Sequence, residues 1–321
     1  MMMVKTKLFF ATDVHGSEVC FRKFLNAGRF YGVQTLILGG DITGKMIVPV
    51  VKKAGGEYEA KYYGTIHKAK SEEDLSKLKR LIRDGGFYPF ITTEDEMKDL
   101  SGKNLNVDEI FKDLVLETLQ GWVNLAEERL KPTGIKLYMT GGNDDIAEIS
   151  DILRSSKYII DPEGSVVDID GEHEMVSTGY SNITPWKCPR DIGDDELWKL
   201  IDKMLKDVKN MKTAIFNFHV PPYDVPPLDS APELDETLKP IMEGGSGLKM
   251  IPVGSKAVRK AIDEHQPLLG LHGHIHEGKG AIKVGRTMCI NPGSEYGEGI
   301  LRGVLVTIDK DEVKEYMFTS G

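Results

Sequence analysis

The chain has 321 residues, 40% hydrophobic and 28% charged, enough for one large domain or two ordinary ones with a full apolar core. Its formal charge of -9 removes the electrostatic footprint that wrapping by nucleic acid requires, while leaving room for a local basic pocket. Cys20, Cys188 and Cys289 are odd in number and far apart, which argues against a disulfide framework or a zinc ribbon and fits a reducing cytoplasm.

The apolar start of the chain is too short to span a bilayer and has no small-residue cleavage site, so it reads as a first strand, with no membrane partner expected. That strand is predicted at residues 7–12. The polar stretch DVHG breaks it, and Val19, Phe24, Leu25 and Phe30 then recur at helical spacing. Residues 35–38 predict a second strand ending in GGD, which makes a βαβ opening. From about 46 to 106 the regularity falters through Gly55-Gly56, the Tyr-rich EYEAKYYGTIH, a charged helix candidate at 71–83 and Gly85-Gly86. This segment reads as a cap-like insertion within a single domain spanning 1–321.

A long amphipathic helix starts at Asn106, carries Ile110, Leu114, Leu119, Val123 and Leu130 among its apolar positions, and stops before Pro132. A strand at 135–139 follows. Further strands are expected at 166–169, 174–178, 214–218, 267–271, 287–290, 304–308 and 313–317, with helices near 194–206 and 255–264. Between His219 and Gly254 a Pro- and Gly-rich stretch reads as a long loop, functional or mobile.

Five predicted strand ends present the same few residue types: Asp13 with His15, Asp41, Asn143, His219, and His274 with His276. Imidazole, carboxylate and amide oxygen are donors that suit Mn, Fe, Zn or Ni, and no thiolate is among them. Each cluster alone is an ordinary polar turn, because Gly and Asp are common loop formers. Five in order, each directly behind a strand, are poorly explained by chance. His67, His173 and His265 lie at helix ends or in strand-like surroundings without partners and read as solvent-facing or packing residues. His272 is either part of a strand or a support for the ligands beside it.

The ordered set DxH, GD, GN, H and GHxH resembles the calcineurin-like metallophosphoesterase family over nearly the whole chain, from Asp13 to His276. The NPGS turn at 291–294 adds a further likeness. The resemblance implies an α/β fold, a two-sheet β-sandwich flanked by helices, with a dinuclear metal centre at the strand C-terminal ends. It implies that Asp13, His15 and His276 hold one divalent ion and Asn143, His219 and His274 the other, with Asp41 bridging. It also implies hydrolysis of phosphate esters by attack of a metal-bound hydroxide.

One position departs from the pattern. Many family members place a His directly after the metal-binding Asn, and here that place holds Asp144, so the catalytic role of that position is open. An Asp beside two divalent cations stays ionised, is a poor proton donor near neutral pH, and repels a phosphate dianion more than a diester monoanion, which leans the reading toward phosphodiesters. The alternative is that Asp144 turns outward and caps a helix starting near Asp145. For substrate contacts the stretch GYSNITPWKCPR offers Asn182, Trp186, Lys187 and Arg190, with Arg190 as a clamp for a phosphate oxygen or all four as surface residues. The expected partner is a small phosphate ester, and the acidic balance disfavours nucleic acid without excluding it. A metal-binding interaction scaffold of the same fold, and an RNA- or DNA-processing nuclease, stay as alternative readings.

Overall fold

Strand Thr6–Ala11 is almost wholly buried because each of its faces meets a different layer. Leu8 and Phe10 join one apolar cluster, Phe9 and Ala11 another. A run apolar on both faces belongs to a sheet covered on both sides. The structure, a computed structural model, describes residues 5–101, 106–245 and 247–321.

This strand sits inside a six-stranded mixed sheet, in the order Glu312–Ser320, Arg302–Asp309, Thr6–Ala11, Thr35–Leu38, Lys136–Met139 and Ile159–Ile160. A second six-stranded sheet runs Gly280–Val284, Thr287–Asn291, Leu269–Leu271, Ile215–Phe218, Glu174–Thr178 and Val166–Asp168. Leu8, Phe10, Ile37, Tyr138 and Val304 of the first meet Met175, Ile215, Leu269, Leu271 and Ile290 of the second in one core between the sheets. The expected two-sheet sandwich is therefore present.

Helices cover the outer faces. On the first sheet, helix Glu18–Phe30 and the long helix Val107–Leu130 pack together, with Phe21 stacked on Trp122 at 4.1 Å between ring centroids. Truncating such a buried ring costs about 3–5 kcal/mol. Phe30, expected on the apolar face, is instead 80% exposed in the last turn of its helix. Helices Asp194–Leu205 and Lys256–His265 cover the second sheet through Leu197, Ile201, Val258 and Ile262. Among the described residues no helix is long and apolar enough to cross a membrane.

The segment 46–106 is more regular than its sequence suggested. It holds a four-stranded sheet, ordered Thr65–Ala69, Tyr58–Tyr62, Ile47–Lys52 and Tyr88–Thr93, with helix Glu72–Asp84 packed on it through Leu75, Leu78 and Ile82. Pro49 hid the first of these strands, since proline inside a run argues against a central strand. The pairing with Tyr58–Tyr62 begins only at Val50, so no partner on that side needs a Pro49 N–H. Residues 102–105 of the segment lie outside the described residues.

The stretch 219–254 is likewise not a bare loop. It carries two short antiparallel ladders, Ser230–Pro232 with Met250–Pro252 and Met242–Glu243 with Gly247–Leu248, while Ser246 lies outside the described residues.

Candidate metal centre

Parallel pairing brings the candidate ligands to one end of the molecule. Strands Thr6–Ala11, Thr35–Leu38 and Lys136–Met139 are mutually parallel, as are Glu174–Thr178, Ile215–Phe218, Leu269–Leu271 and Thr287–Asn291. Loops leaving the C-terminal ends of such strands form the crevice where open α/β sheets bind ligands. Asp13, His15, Asp41, Asn143, His219, His274 and His276 all lie on those loops. The first two loops are tied together by backbone bonds from Asp13 to Gly40 and from His15 to Asp41, both 2.9 Å.

The backbone is strained where these side chains turn inward. Asp13, His15, Asp41 and His274 all have positive φ, between 39° and 65°. A non-glycine residue in that region costs about 1–2 kcal/mol, and such residues collect at functional sites. Space is equally tight: a Cβ on Gly142 would lie 2.1 Å from Asp41 Oδ1, so only glycine lets this loop pass.

Asp41 stands between two groups of donors. Its Oδ2 lies 3.6 Å from His15 Nε2, and its Oδ1 lies 3.4 Å from His219 Nε2. Asp13 Oδ1 is 3.4 Å from His276 Nε2, and the Nε2 atoms of His15 and His276 approach to 3.1 Å. Asp13, His15 and His276 thus form one set able to hold a metal ion, and Asp13, Asp41 and His219 a second. His219 Nδ1 donates to Gly39 O at 3.1 Å, which aims Nε2 at the carboxylates. Among the described residues, His219 Nε2 and His15 Nδ1 are buried without a hydrogen-bond partner. A cation fits this donor set better than any bond the chain itself supplies.

Asn143 reaches the same place from the strand Lys136–Met139. Its Oδ1 lies 2.9 Å from His274 Nδ1, while its Nδ2 donates to Asp191 Oδ1 at 2.9 Å, which fixes the amide's orientation. Asp191 in turn accepts from Thr184 N and Cys188 N through Oδ2. The stretch expected to contact substrate therefore buttresses Asn143. Arg190 N donates to Asn143 O at 3.0 Å, and its guanidinium is only 5% exposed and lies 3.5 Å from Glu163. Arg190 is thus engaged inside the protein and not presented as a phosphate clamp. Asn182 Nδ2 donates to Val253 O, and Trp186 and Lys187 are exposed.

No family model matches the chain. Among curated proteins, an uncharacterized protein of Methanocaldococcus jannaschii is 31% identical over 153 residues, which is 47% of this chain and 61% of that relative, less than two thirds of its length. One solved crystal structure aligns over 97% of this chain and 98% of its own at 17% identity, with a TM-score of 0.56. A protein of Thermus thermophilus aligns over 96% of this chain and all of its own at 14% identity and a TM-score of 0.48. A phosphatase from Mycoplasma pneumoniae aligns over all of this chain and 94% of its own at 13% identity and 0.43. The last two are too distant to bear on this chain's chemistry.

The chain shares its two-sheet sandwich fold with the first of these structures.

Its expected ligands also differ from one another electrostatically. Burial opposes charge on all of them, and the neighbours decide the outcome. His219 is pushed down by burial but carried up to about 9 by Asp41 and Asp13. His276 is raised in the same way by Asp13 and Asp41. His15 falls to about 3 and His274 to about 4, since burial dominates there. For Asp13 and Asp41 burial works upward, yet the nearby imidazoles hold both well below the usual carboxylate range. Neutral His15 and His274 with ionised Asp13 and Asp41 are in the protonation states that holding a cation would require.

The three residues after Gly142 take three different positions. Asn143 faces His274. Asp144 does not cap a helix: the next one, Ile149–Ser155, begins four residues beyond Asp145 with Glu148 at its N-cap, whose side chain makes no capping bond. Instead Asp144 turns to the cluster, its Oδ2 4.0 Å from His15 Nδ1 and 2.6 Å from Lys45 Nζ. Asp145 is withdrawn into the protein, where its carboxylate accepts from the backbone N–H groups of Ile42, Thr43 and Gly142. Those bonds draw 143–148 into turns, which is why no helix starts there. Burial and then Asp41 push the Asp145 carboxyl up to about 6.

Sequence reasoning passed over Lys45, Tyr296 and Asp191. Tyr296 lies against His15 with ring centroids 4.6 Å apart and beside His276 at 5.9 Å. Its place just behind the NPGS turn was the available signal; Lys45 had only its position four residues after Asp41. His173, read as lacking partners, is buried and bonded at both ring nitrogens, to Asp170 Oδ2 at 2.7 Å and Lys310 O at 2.6 Å. His272 is buried at a strand end and bonds Phe218 O at 2.8 Å.

Proposed function

We propose that this chain is a dinuclear metal-dependent phosphoesterase acting on small phosphate esters, with a lean to phosphodiesters. The supporting observation is Asp41, whose two oxygens face His15 on one side and a buried, otherwise unbonded nitrogen of His219 on the other. In this reading Asp13, His15 and His276 would hold one ion and Asn143, His219 and His274 the other, with Asp41 shared. The nitrogen and oxygen donors suit Mn, Fe, Zn or Ni. When bound, such a pair supplies Lewis acidity toward phosphoryl oxygens and makes water acidic enough to act near neutral pH.

The chain's own residues would do the rest. Lys45, half-exposed at the rim, presents an ammonium where a phosphoryl oxygen arrives and holds Asp144 in place. Ion-paired in this way, Asp144 accepts and does not donate, so the leaving group finds no carboxylic acid beside it. Esters with acidic leaving groups, diesters among them, are the substrates such a site turns over best. Three free cysteines fit a reducing, cytoplasmic setting.

Metal-replete expression followed by elemental analysis tests the reading directly. About two ions per chain are expected, and fewer than about one would overturn it. Hydrolysis of bis- and mono-p-nitrophenyl phosphate should vanish in Asp41→Ala and His219→Ala, and full activity in both would show that the site is elsewhere.

A further inference from the structure

The sheet within 46–106 touches the candidate metal centre directly. Gly44 N, on the loop of Asp41, donates to Tyr88 Oη of the sheet at 2.8 Å, and Ser17 Oγ, just behind Asp13 and His15, donates to Asp84 O at the end of helix Glu72–Asp84 at 2.6 Å. A Cβ on Gly86 would lie 3.3 Å from the Tyr296 ring, and Gly86 itself has φ +85°, so glycine here lets the backbone come up against that ring.

From Tyr296 the aromatic surface continues outward. Tyr63 Oη lies 3.7 Å from where a Cβ on Gly297 would be, and the Tyr63 ring meets Phe87 at 5.7 Å and Tyr62 at 4.6 Å between centroids.

The conformation of Tyr63 needs a reason. It is the first of two residues in the turn joining Tyr58–Tyr62 to Thr65–Ala69, and both it and Gly64 have positive φ, 45° and 76°. That turn geometry is ordinarily met by Asn-Gly or Asp-Gly, and a bulky ring adopts it only under strain. Tyr63 nevertheless leaves its ring 68% exposed, beside half-buried Phe87 and Tyr296. Beyond its contacts with Tyr62 and Phe87, the rest of this side chain is open to an incoming ring.

We propose that this aromatic wall is a stacking subsite for the nucleobase of a nucleoside phosphodiester, with Tyr63, Phe87 and Tyr296 receiving the base while the phosphate lies at the metal ligands and Lys45. Bases stack on aromatic side chains in a sequence-tolerant way, and the tyrosine hydroxyls along the wall suit a ring with hydrogen-bonding edges better than a plain phenyl. The subsite rests on the phosphoesterase reading above, and its test separates the two.

The probes are non-hydrolysable phosphonate analogues of the methyl phosphodiesters of adenosine 5′-phosphate and of ribose 5-phosphate, titrated calorimetrically into the manganese-loaded chain. The adenosine analogue is expected to bind about tenfold or more tightly than the ribose analogue. Tyr63→Ala should bring the two affinities together without changing that of the ribose analogue, while Tyr63→Phe keeps the difference. Equal affinities in the unaltered chain, or a difference that survives Tyr63→Ala, would overturn the subsite alone. Binding of neither probe would overturn it together with the phosphoesterase reading.

Discussion

Lys45 Nζ lies 2.6 Å from Asp144 Oδ2, so an ammonium and a carboxylate stand side by side where the sequence alone offered only the carboxylate. Taken by itself, Asp144 would repel a phosphate dianion. With Lys45 beside it the pair is close to neutral, and the cation is free to turn toward an arriving oxygen.

Removing Lys45 therefore has a specific consequence. In Lys45→Met the carboxylate is left uncompensated, and kcat/KM for mono-p-nitrophenyl phosphate should fall about 10- to 100-fold, the worth of one charge-assisted hydrogen bond. The bis-ester, with one negative charge, should lose less. Steady-state kinetics on both substrates decide the matter, and equal losses would remove Lys45 from contact with the phosphoryl group.

Metal loading should release a proton. His219 is carried up to about 9 in the metal-free fold, so a cation must displace its proton at pH 7. Apparent affinity should rise about tenfold per pH unit from 7 toward 9, with one proton released in calorimetry across buffers of different ionisation heat. The stability of the metal-free chain follows the same groups. The His219 contribution is complete below about 6.5 and disappears as pH rises through about 9. His15 and His274, lowered to about 3 and about 4, act oppositely: the unfolded chain takes up their protons below about 6.5 and the fold does not. Thermal stability without metal should peak near pH 6.5, whereas a flat profile would mean that these imidazoles are not buried as described.

The convergence of these side chains was legible because such donors leave a strong trace in sequence. Histidine and carboxylate behind successive strands are rare by chance, and the seven residues named from sequence do converge on one end of the sandwich. Lys45 left no trace, since a lysine in a loop is ordinarily a solvated one, and only the fold brings it to Asp144, 99 positions along the chain. The sheet at 47–93 was obscured by Pro49, whose missing N–H the pairing with Tyr58–Tyr62 does not need, and by the Tyr-rich stretch, which forms a hairpin turning at Tyr63-Gly64. Arg190 misled for a physical reason: an arginine near an anion site reads as a clamp, but half-buried Glu163 lies 3.5 Å from it and pairs with it instead.

Away from the site, Asp170 and His173 tie the two sheets together. Asp170 Oδ2 accepts from Thr6 Oγ1 on the first sheet and meets His173 Nδ1, while His173 Nε2 faces Lys310 O in the turn before strand Glu312–Ser320. Burial works against charge on both residues, but two acceptors around one ring favour the imidazolium. His173 is raised and Asp170 held below the usual carboxylate range. The raised His contributes fully below about 6.5 and is lost at higher pH; the depressed Asp contributes above about 4 and is lost on acidification. Asp170→Asn should cost about 1.5–3 kcal/mol between pH 4 and 6.5, with the gap narrowing as His173 loses its proton. Chemical denaturation at pH 5.5 and pH 9 gives both numbers, and a cost independent of pH would mean that His173 is neutral throughout.

Asp145 makes the sharpest test of how the ligands are held, because it is next to them in sequence and does not belong to them. Its Oδ1 accepts from Thr43 N and its Oδ2 from Ile42 N and Gly142 N, which joins the loop of Asp41 to the loop of Asn143. Both oxygens are needed as acceptors. In Asp145→Asn one of them becomes an amide nitrogen facing backbone N–H groups, leaving donors unpaired in a buried place at about 1–3 kcal/mol each. The two loops would then separate, and metal affinity should fall about 10- to 100-fold although no ligand has been removed. Metal titration of the folded variant, checked by thermal melting in chelator, measures the effect. An affinity within about twofold of the unaltered chain would show that Asp41 and Asn143 keep their positions without this carboxylate.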